Sequence, residues 1–292
     1  MKKIDSAKIL FQKNSNLFMC PVCGNRMNIN HSSSLTCTEN HCFDLSKKGY
    51  INLLLNSPKI EYGKDMLQSR NIICKNGFFA PMLDTVSSLI EKNTNSSTDI
   101  FNILDAGCGE GSHLYNILIN LKDNSKYNFQ GAGIDISKEG INIASGKYSD
   151  ILWCVADLSK LPFRNEKFDI ILSILSPSNY SEFNRVLKKN GVLIKVAPGS
   201  NYLKELRTLL YDKTDKENYS NHKVINHFAN NFNLLNKQDI QYNIALDEEN
   251  IEHLIKMTPL SWSADKSTIE QAINLGLKNI TVDFSIMIGK SA

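Results

Sequence analysis

Three glycines at alternate positions follow a short apolar segment, and this feature constrains the fold more than any other. The apolar segment is 100–104, and Gly107, Gly109 and Gly111 come soon after it, with Asp105 two residues before the first glycine. Glycine permits left-handed backbone angles and lets a ligand press against backbone where a Cβ atom would collide. The segment therefore predicts a strand, a ligand-binding turn and a helix in succession.

Strand-like and helical segments alternate on the C-terminal side of this turn. Alternation of this kind is typical of a doubly wound, Rossmann-like parallel sheet of the α/β class. Farther on, 240–245 and 280–288 are predicted to pair as antiparallel strands. The parallel strands are predicted at 100–104, 129–135, 151–156, 168–174 and 192–196, and helices between them at 113–121, 138–146 and 183–187.

The two strands after the glycine turn are each followed by, or end at, a carboxylate. Asp135 closes one strand and Asp157 follows the next. Ligands of open α/β sheets bind at the carboxyl ends of the strands, so Asp135 is predicted to bind a ribose and Asp157 an adenine amine. Capping of the following helices is the alternative role for both acids. An acid at Asp105 disfavours a pyrophosphate and favours a cofactor that carries a sulfonium and an amino group.

The glycine turn and the three acids together resemble class I S-adenosylmethionine methyltransferases. The resemblance covers about residues 75–200, and the segments 161–171 and 185–193 add to it. It implies S-adenosylmethionine as the cofactor, with Asp105, Gly107, Gly109 and Gly111 in the binding turn. It leaves the substrate open.

Four of the seven cysteines form two short pairs near the N-terminus. Cys20 and Cys23 are the first pair and Cys37 and Cys42 the second, with His41 directly before Cys42. Two such pairs facing each other across a hairpin supply the four donors of a tetrahedral zinc site. A redox Cys-x-x-Cys pair and unliganded buried cysteines are the alternatives. The residues alone leave open whether His41 or Cys42 completes the site.

Charge is distributed unevenly in a chain whose net charge is only +3. Residues 1–75 hold eleven Lys and Arg against five Asp and Glu, whereas the remainder holds 22 basic and 25 acidic residues. A basic front end predicts contact with a polyanion, and a solvated basic surface is the alternative. The candidates for phosphate contact are Arg26, Lys47, Lys48, Lys59 and Lys64.

The apolar runs of the chain are short. None approaches the ~20 residues that cross a bilayer, so the sequence predicts no membrane segment. The basic N-terminus is not followed by the apolar core of a secretory signal, which predicts a cytoplasmic protein.

Further segments resemble one family, the 23S ribosomal RNA guanine-N1 methyltransferases, which include macrolide-resistance members. The resemblance runs from about residue 17 to the C-terminus. It implies that a hairpin of large-subunit ribosomal RNA is the substrate and that the protein is a homodimer. The segments that carry it are 40–44, 47–54, 65–70, 77–82, 198–206 and 257–262.

The family's ligands can be carried over by position. Its zinc ligands fall on Cys20, Cys23, Cys37 and His41, so the resemblance selects His41 over Cys42. Its cofactor contacts fall on Phe79, Gly109, Glu110 and Tyr202.

This chain departs from the family pattern at three places. Phe79 and Tyr202 stand where the family has Tyr and His, which keeps an aromatic wall but changes its hydrogen bonding. The segment 176–179, Ser-Pro-Ser-Asn, replaces an Ala-Pro-Cys-like segment near the place of substrate chemistry. Glu110 and Asp157 are conceivable acceptors of the guanine N1 proton, but the sequence identifies no catalytic base.

The chain is predicted to have three parts. Residues 1–16 form a lead-in that is loosely ordered or a short helix, 17–60 a zinc-binding RNA-recognition module of the zinc-ribbon type, and 61–292 the methyltransferase domain. Two other functions stay open, namely methylation of a small molecule and RNA binding by a non-catalytic zinc ribbon.

Overall fold

The computed structural model describes residues 2–30, 33–56, 63–94, 100–211, 219–264, 266–274 and 277–291. Its strands are β1 (Met27–Ile29), β2 (Ser34–Cys37), β3 (Cys42–Asp44), β4 (Tyr50–Asn52), β5 (Ile100–Ala106), β6 (Asn128–Asp135), β7 (Leu152–Val155), β8 (Phe168–Ile174), β9 (Leu187–Pro198), β10 (Phe232–Ala245) and β11 (Asn279–Ser291). Its helices are α1 (Lys3–Lys13), α2 (Lys64–Lys75), α3 (Ala80–Asn93), α4 (Ser112–Asn124), α5 (Lys138–Lys147), α6 (Tyr180–Val186), α7 (Lys204–Tyr211), α8 (His222–Ala229), α9 (Glu248–Met257) and α10 (Lys266–Asn274). Short 3-10 helices cover Ser15–Leu17 and Pro259–Ser263.

A large mixed sheet lies at the centre of the described chain. Its strand order is β10-β11-β9-β8-β5-β6-β7-β4. The six strands from β9 to β4 pair in parallel, whereas β11 runs antiparallel to both β9 and β10. The predicted doubly wound α/β sheet is confirmed, and so is the antiparallel pairing of 240–245 with 280–288.

Side chains from alternate strand positions pack on opposite faces of this sheet. Ile103, Leu172 and Ile194 belong to one buried cluster, whereas their neighbours Leu104, Ile171 and Leu193 belong to the other. A parallel strand is covered by helices on both faces, so most of its positions are apolar. The continuous apolar runs in the sequence have this cause.

The junction of α6 and β9 differs from the prediction. The sequence predicts a helix over 183–187 that ends near Gly191, but α6 ends at Val186 and β9 begins at Leu187. Leu187 pairs with Phe168, and the register shifts before Ile170 pairs with Val192. β9 lies very close to β8 at this point. A Cβ atom on residue 191 would lie 2.8 Å from the Asp169 carbonyl oxygen, so glycine at this position permits the close approach.

The cysteine segment contributes to both sheets. β1, β2 and β3 form a small antiparallel sheet of their own. β4, however, pairs in parallel with β7 at the edge of the large sheet, and the N–H of Leu53 donates to the Val155 carbonyl at 2.8 Å. The predicted boundary between 60 and 61 lies in 57–62, outside the described residues. The division at that point stays a prediction, and the described part shows that residues 50–52 belong to the large sheet.

The lead-in forms a helix, one of its two predicted alternatives. α1 buries Phe11 completely, and its ring lies 5.4 Å from the ring of Phe18. Phe18 in turn lies 5.3 Å from Phe163, in the loop between β7 and β8. Lead-in, cysteine segment and large sheet therefore share one apolar cluster. Among the described residues, no helix combines the length and apolar character that crossing a membrane requires.

Candidate active site and metal centre

A cavity of about 480 Å³ opens at the carboxyl ends of the parallel strands. The loops after β5, β6, β7, β8 and β9 line it, together with residues 257–259 at the end of α9 and directly after it. Six residues that the sequence predicts to bind the cofactor line it, namely Phe79, Gly107, Gly109, Asp135, Asp157 and Tyr202.

The glycine turn requires glycine at Gly107 for two reasons. Its φ is 84°, in the left-handed region, and a Cβ atom would lie 2.6 Å from the Cβ of Ser176. Gly109 also has positive φ, at 57°, but a Cβ atom there would meet nothing within 4 Å. Gly109 therefore presents open backbone to the cavity. Gly111 precedes α4 and packs against Trp153, outside the cavity wall.

Asp135 is tied to this turn through its carboxylate. One oxygen accepts from the N–H of Gly109 at 2.8 Å and the other from the N–H of Ser137 at 2.7 Å. Burial raises the pKa of Asp135, and these backbone donors oppose the shift. Asp157 is half-buried and accepts from the N–H of Ser159 at 2.7 Å. Carboxylate oxygens have more than one acceptor site each, so both acids keep capacity to bind a ligand.

Asp105 lies behind the cavity wall. It is 1% exposed, and its Oδ1 has no hydrogen-bond partner among the described residues. Burial raises the pKa of Asp105 to about 7, Arg70 opposes the shift, and the charges of Asp135 and Glu110 add to it. Arg70 itself lines the cavity, so a cation faces the buried acids.

Glu110 also lies behind the wall, turned towards α2. Its carboxylate accepts from Asn71 Nδ2 at 2.6 Å and from the Ser112 hydroxyl. Burial raises its pKa, and these donors oppose the shift. The glycine turn is thus held by a buried carboxylate network whose members do not all reach the cavity.

An aromatic wall closes one side of the cavity. Phe79 and Tyr202 both pack near Phe284 of β11, with ring centroids at 6.2 Å and 5.0 Å. The ring of His113 lies edge-on to Phe79 at 4.7 Å. Burial raises the pKa of Tyr202, so its hydroxyl stays protonated. Phe79 and Tyr202 thus form an aromatic side of the cavity, and their role as cofactor contacts stays a prediction.

Five polar residues of the cavity wall are absent from the predicted cofactor set, namely Arg70, Ser137, Ser176, Lys195 and Thr258. Lys195, on β9, is 6% exposed and donates to Ser173 Oγ at 3.1 Å and to the Ser176 carbonyl. Burial lowers the pKa of Lys195 to about 8. Two signals were available in the sequence, since Arg70 ends a segment that carries the family resemblance and Lys195 interrupts an apolar strand.

A separate cluster of metal-binding side chains lies in the cysteine segment. The donor atoms of Cys20, Cys23, Cys37 and His41 lie within 4.8 Å of one another. Cys23 Sγ is 3.7 Å from Cys37 Sγ, which is 3.4 Å from His41 Nδ1. A tetrahedron with zinc–sulfur bonds of about 2.3 Å has edges of about 3.8 Å, so this spacing suits zinc.

Cys42 does not join this cluster. It begins β3, its side chain is exposed, and its Sγ lies 4.0 Å from Asp44 Oδ1. The turn at Asn40, where φ is 60°, brings His41 back towards Cys37 instead. The geometry thus favours His41 over Cys42 as the fourth donor.

The basic residues predicted to contact phosphate lie on the surface. Arg26, Lys47, Lys48 and Lys64 are exposed, and Lys59 lies outside the described residues. Burial lowers the pKa of Lys167, and the nearby charges of Arg164, Lys188 and Arg26 add to the shift. Glu166 opposes the shift, and Lys188 is paired with Asp169 at 2.8 Å, so Arg26 lies near charges of both signs in which basic residues predominate.

Comparison with known proteins agrees with this architecture. A family model described as "Methyltransferase domain" matches residues 97–272, and one described as "RlmA, N-terminal" matches residues 18–58. A Bacillus subtilis (strain 168) protein named "Putative 23S rRNA (guanine-N(1)-)-methyltransferase YxjB" is 43% identical over 275 residues, 94% of this chain and 96% of that protein. The Streptomyces fradiae "23S rRNA (guanine(748)-N(1))-methyltransferase" is 26% identical over 259 residues, 87% of this chain and 89% of that protein.

Proposed function

This chain belongs to the family of 23S rRNA (guanine-N1) methyltransferases, and from that premise we propose that it methylates N1 of a guanine in 23S ribosomal RNA. S-adenosylmethionine is the methyl donor. The observation that carries the proposal is a single cavity that joins the glycine turn and Asp135 to the polar residues after β8 and on β9. A nucleoside cofactor and a base to be methylated can therefore meet in one enclosed space.

The residues of the cavity fit S-adenosylmethionine. Asp135 has acceptor capacity for ribose hydroxyls and Asp157 for the adenine amine, beside the open backbone of Gly109. Arg70 is the cation of the wall that suits the methionine carboxylate, with Asp105 behind it for the positive amino group. Phe79 and Tyr202 supply an apolar side that excludes water. When bound, the cofactor supplies a methyl group on a sulfonium, a good leaving group.

Three of the predicted cofactor residues act from behind this wall in our proposal. Asp105 supplies negative charge from behind the wall, and its Oδ1 has no hydrogen-bond partner among the described residues. Glu110 accepts from Asn71 and Ser112, and Gly111 lets the turn pack on Trp153, so these two residues position the turn without lining the cavity.

Zinc is the metal that suits the cluster in the cysteine segment. Three thiolates and one imidazole make a closed four-ligand site, which is the structural kind and leaves no position for a reacting water. Cys20, Cys23, Cys37 and His41 would hold the ion, and the ion would fix β1–β3 against the shared apolar cluster.

Ribosomal RNA is the polyanionic partner in this proposal. The exposed residues Arg26, Lys47, Lys48 and Lys64 supply phosphate contacts, as is usual where a protein recognises RNA by shape. We also propose that the protein is a homodimer, that it is located in the cytoplasm and that methylation gives macrolide resistance. Sedimentation tests the first, and growth of a macrolide-sensitive strain expressing the protein tests the last.

The decisive experiment is methyl transfer to protein-free large-subunit RNA, followed by mapping of reverse-transcription stops. A methyl group on N1 blocks the pairing edge of guanine, so a new stop at one guanine is expected. A reaction without S-adenosylmethionine is the control. Absence of any new stop while the donor is bound would contradict the proposal.

Two alternatives are separated by charge variants. Deleting the cysteine segment is unsuitable, because β4 is a strand of the large sheet. The double variant Lys47→Glu and Lys48→Glu should weaken RNA binding and leave binding of S-adenosylmethionine unchanged. A small-molecule methyltransferase would keep its activity in this variant. A non-catalytic RNA-binding protein would give no calorimetric signal with S-adenosylmethionine.

A further inference from the structure

Lys195 is a buried lysine with no opposite charge beside it among the described residues. It lines the cavity and is 6% exposed, yet no charged group of the described chain contributes to the lowering of its pKa, which burial causes. A buried cation without a partner costs free energy, and such groups in clefts are candidates for function. Stability therefore does not explain this residue.

The strand neighbours of Lys195 are uncharged. Ser173 of β8 and Met287 of β11 are its register partners. Those strands hold three charged residues. Asp169 bonds Lys188, Asp283 accepts from the N–H of Asn201, and Lys290 is exposed near the end of β11. Across the cavity lie Arg70, Asp135 and Asp157.

The hydrogen bonds of the Lys195 amine suit its neutral form. Nζ has two acceptors among the described residues, Ser173 Oγ at 3.1 Å and the Ser176 carbonyl. A neutral amine donates two N–H groups and keeps one lone pair, whereas an ammonium group has a third N–H to place. Bonding to these two acceptors therefore leaves the lone pair of a neutral amine available.

The segment that supplies one of these acceptors is itself held firmly. Ser176 Oγ donates to the Ala106 carbonyl at 2.7 Å, directly before the glycine turn. Leu175 adopts a φ of 54°, which is strained for a leucine. The strain turns the chain after β8 so that Ser176 faces both Lys195 and Gly107. Lys195 is thereby positioned between the cofactor turn and the segment 176–179.

We propose that the neutral amine of Lys195 accepts the N1 proton of the target guanine, an inference that rests on the proposed function. The N1–H bond breaks and the proton passes to Nζ, which becomes an ammonium group. The electron pair left on N1 forms the bond to the methyl carbon. The carbon–sulfur bond of the donor breaks, and its electron pair stays on sulfur. The positive charge lost by the sulfonium is balanced by the charge that Lys195 gains.

The test is single-turnover methyl transfer to protein-free large-subunit RNA between pH 6 and 10. For the unmodified protein we expect the rate to rise with pH and to level off above about 8, because Lys195 must be neutral. Lys195→Met should lower the rate by about 10²–10⁴-fold and abolish the plateau. Lys195→Arg keeps the charge but stays protonated, so it should not restore the rate. Lys189→Met, an exposed lysine on the same strand, is the matched control.

Binding of S-adenosylmethionine and of RNA, measured by calorimetry, should stay within about threefold in Lys195→Met. A Lys195→Met protein with the unmodified rate and pH profile overturns this inference and leaves the proposed function standing. Full activity of Lys195→Arg would also overturn the inference and leave the proposed function standing, because it would show that only the positive charge of Lys195 matters. If Lys195→Met does not fold, the pH profile of the unmodified protein decides. A methyl-transfer rate that falls or stays level between pH 6 and 8 would overturn the inference about Lys195. Absence of methylation by the unmodified protein overturns both proposals.

Discussion

The carboxylate of Asp135 accepts a hydrogen bond of 2.8 Å from the backbone N–H of Gly109. Through this contact the acid at the end of β6 fixes the turn after β5. The same carboxylate also accepts from the N–H of Ser137 at the start of α5, so the turn after β5, the end of β6 and the start of α5 meet at one side chain. The turn is therefore held in its binding geometry before a ligand arrives.

Asp135→Asn should disturb this arrangement without a large change in volume. An amide offers one acceptor oxygen and two N–H groups, so one backbone donor would face another donor. We expect the free energy of unfolding to fall by about 1–3 kcal/mol. We also expect affinity for S-adenosylmethionine to fall at least about tenfold, since a charged acceptor for the ribose is lost. Calorimetry and urea unfolding measure the two effects, and Asp123→Asn on the exposed face of α4 is the control. Unchanged affinity would remove Asp135 from the cofactor site.

Gly107→Ala tests the requirement for glycine in the turn. The new Cβ would lie 2.6 Å from the Cβ of Ser176 at a φ of 84°. We expect a loss of about 1–3 kcal/mol in the free energy of unfolding and weaker cofactor binding, because the segment 176–179 must move. Gly146→Ala is the matched control, since a Cβ there would meet nothing within 4 Å. In a helix that change should stabilise the protein by up to about 1 kcal/mol. Equal thermal stability of the two variants would contradict the prediction.

The fourth zinc ligand is tested by a pair of adjacent substitutions. His41→Ala should lose most of the bound zinc, because its Nδ1 lies 3.4 Å from Cys37 Sγ within the cluster. Cys42→Ser should keep one zinc per chain, because Cys42 lies outside the cluster. Zinc measured by mass spectrometry after dialysis separates the two outcomes. The reverse pattern would select Cys42 as the ligand.

Zinc removal should also lower the stability of the large sheet. The zinc cluster and β4 belong to one continuous segment, and the apolar cluster around Phe18 joins it to Phe163. Metal-binding free energy contributes to folding where the site forms only in the folded state. A chelator should therefore lower the melting temperature of the whole protein. The decrease should be the same in Cys42→Ser as in the unmodified protein.

The raised pKa of Asp105 predicts how stability depends on pH. Its ordinary value is 3.8 and the folded value is about 7, so between these values the folded state holds a proton that the unfolded state has lost. The free energy of unfolding without ligand should therefore fall as pH rises through this window, by on the order of 4 kcal/mol from Asp105 alone.

Asp105→Asn should lack this contribution, so it should gain stability relative to the unmodified protein as pH rises from about 4 to about 7. It should also bind S-adenosylmethionine less tightly, because the negative charge for the amino group is gone. Urea unfolding at pH 5 and pH 8 measures the difference, with Asp123→Asn as the exposed control. Parallel pH dependence of the Asp105→Asn variant and the unmodified protein would show that the buried acid does not titrate in this range.

Much of the fold follows from local patterns in the sequence. The strands from β5 to β9 are apolar runs because helices cover both faces, and the acids at their ends mark where a ligand binds. β10 shows the limit of such patterns. The sequence predicts only 240–245, whereas the strand begins at Phe232. After the buried Phe232, residues 233–239 are all exposed, so this part of the strand has no alternation of apolar and polar residues to detect.

The site was predictable where a turn or a strand end determines a residue's place. Gly107, Gly109, Asp135 and Asp157 line the cavity for this reason. Lys195 could not be placed in this way, because its burial results from packing between β8 and β11. Asp105 and Glu110 were predicted as cofactor residues from their places in the glycine turn, yet neither lines the cavity. The sequence of the turn does not specify whether a side chain reaches the cavity or supports it from behind.

The parallel pairing of β4 with β7 also bears on how the chain folds during translation. Residues 50–52 leave the ribosome long before residues 152–155, so β4 has no sheet to join until most of the parallel strands exist. Pairing over so large a separation in sequence is slow to form. The cysteine segment would then be synthesised early, but its strand β4 would pair late. β4 therefore stays unpaired until β7 has been synthesised.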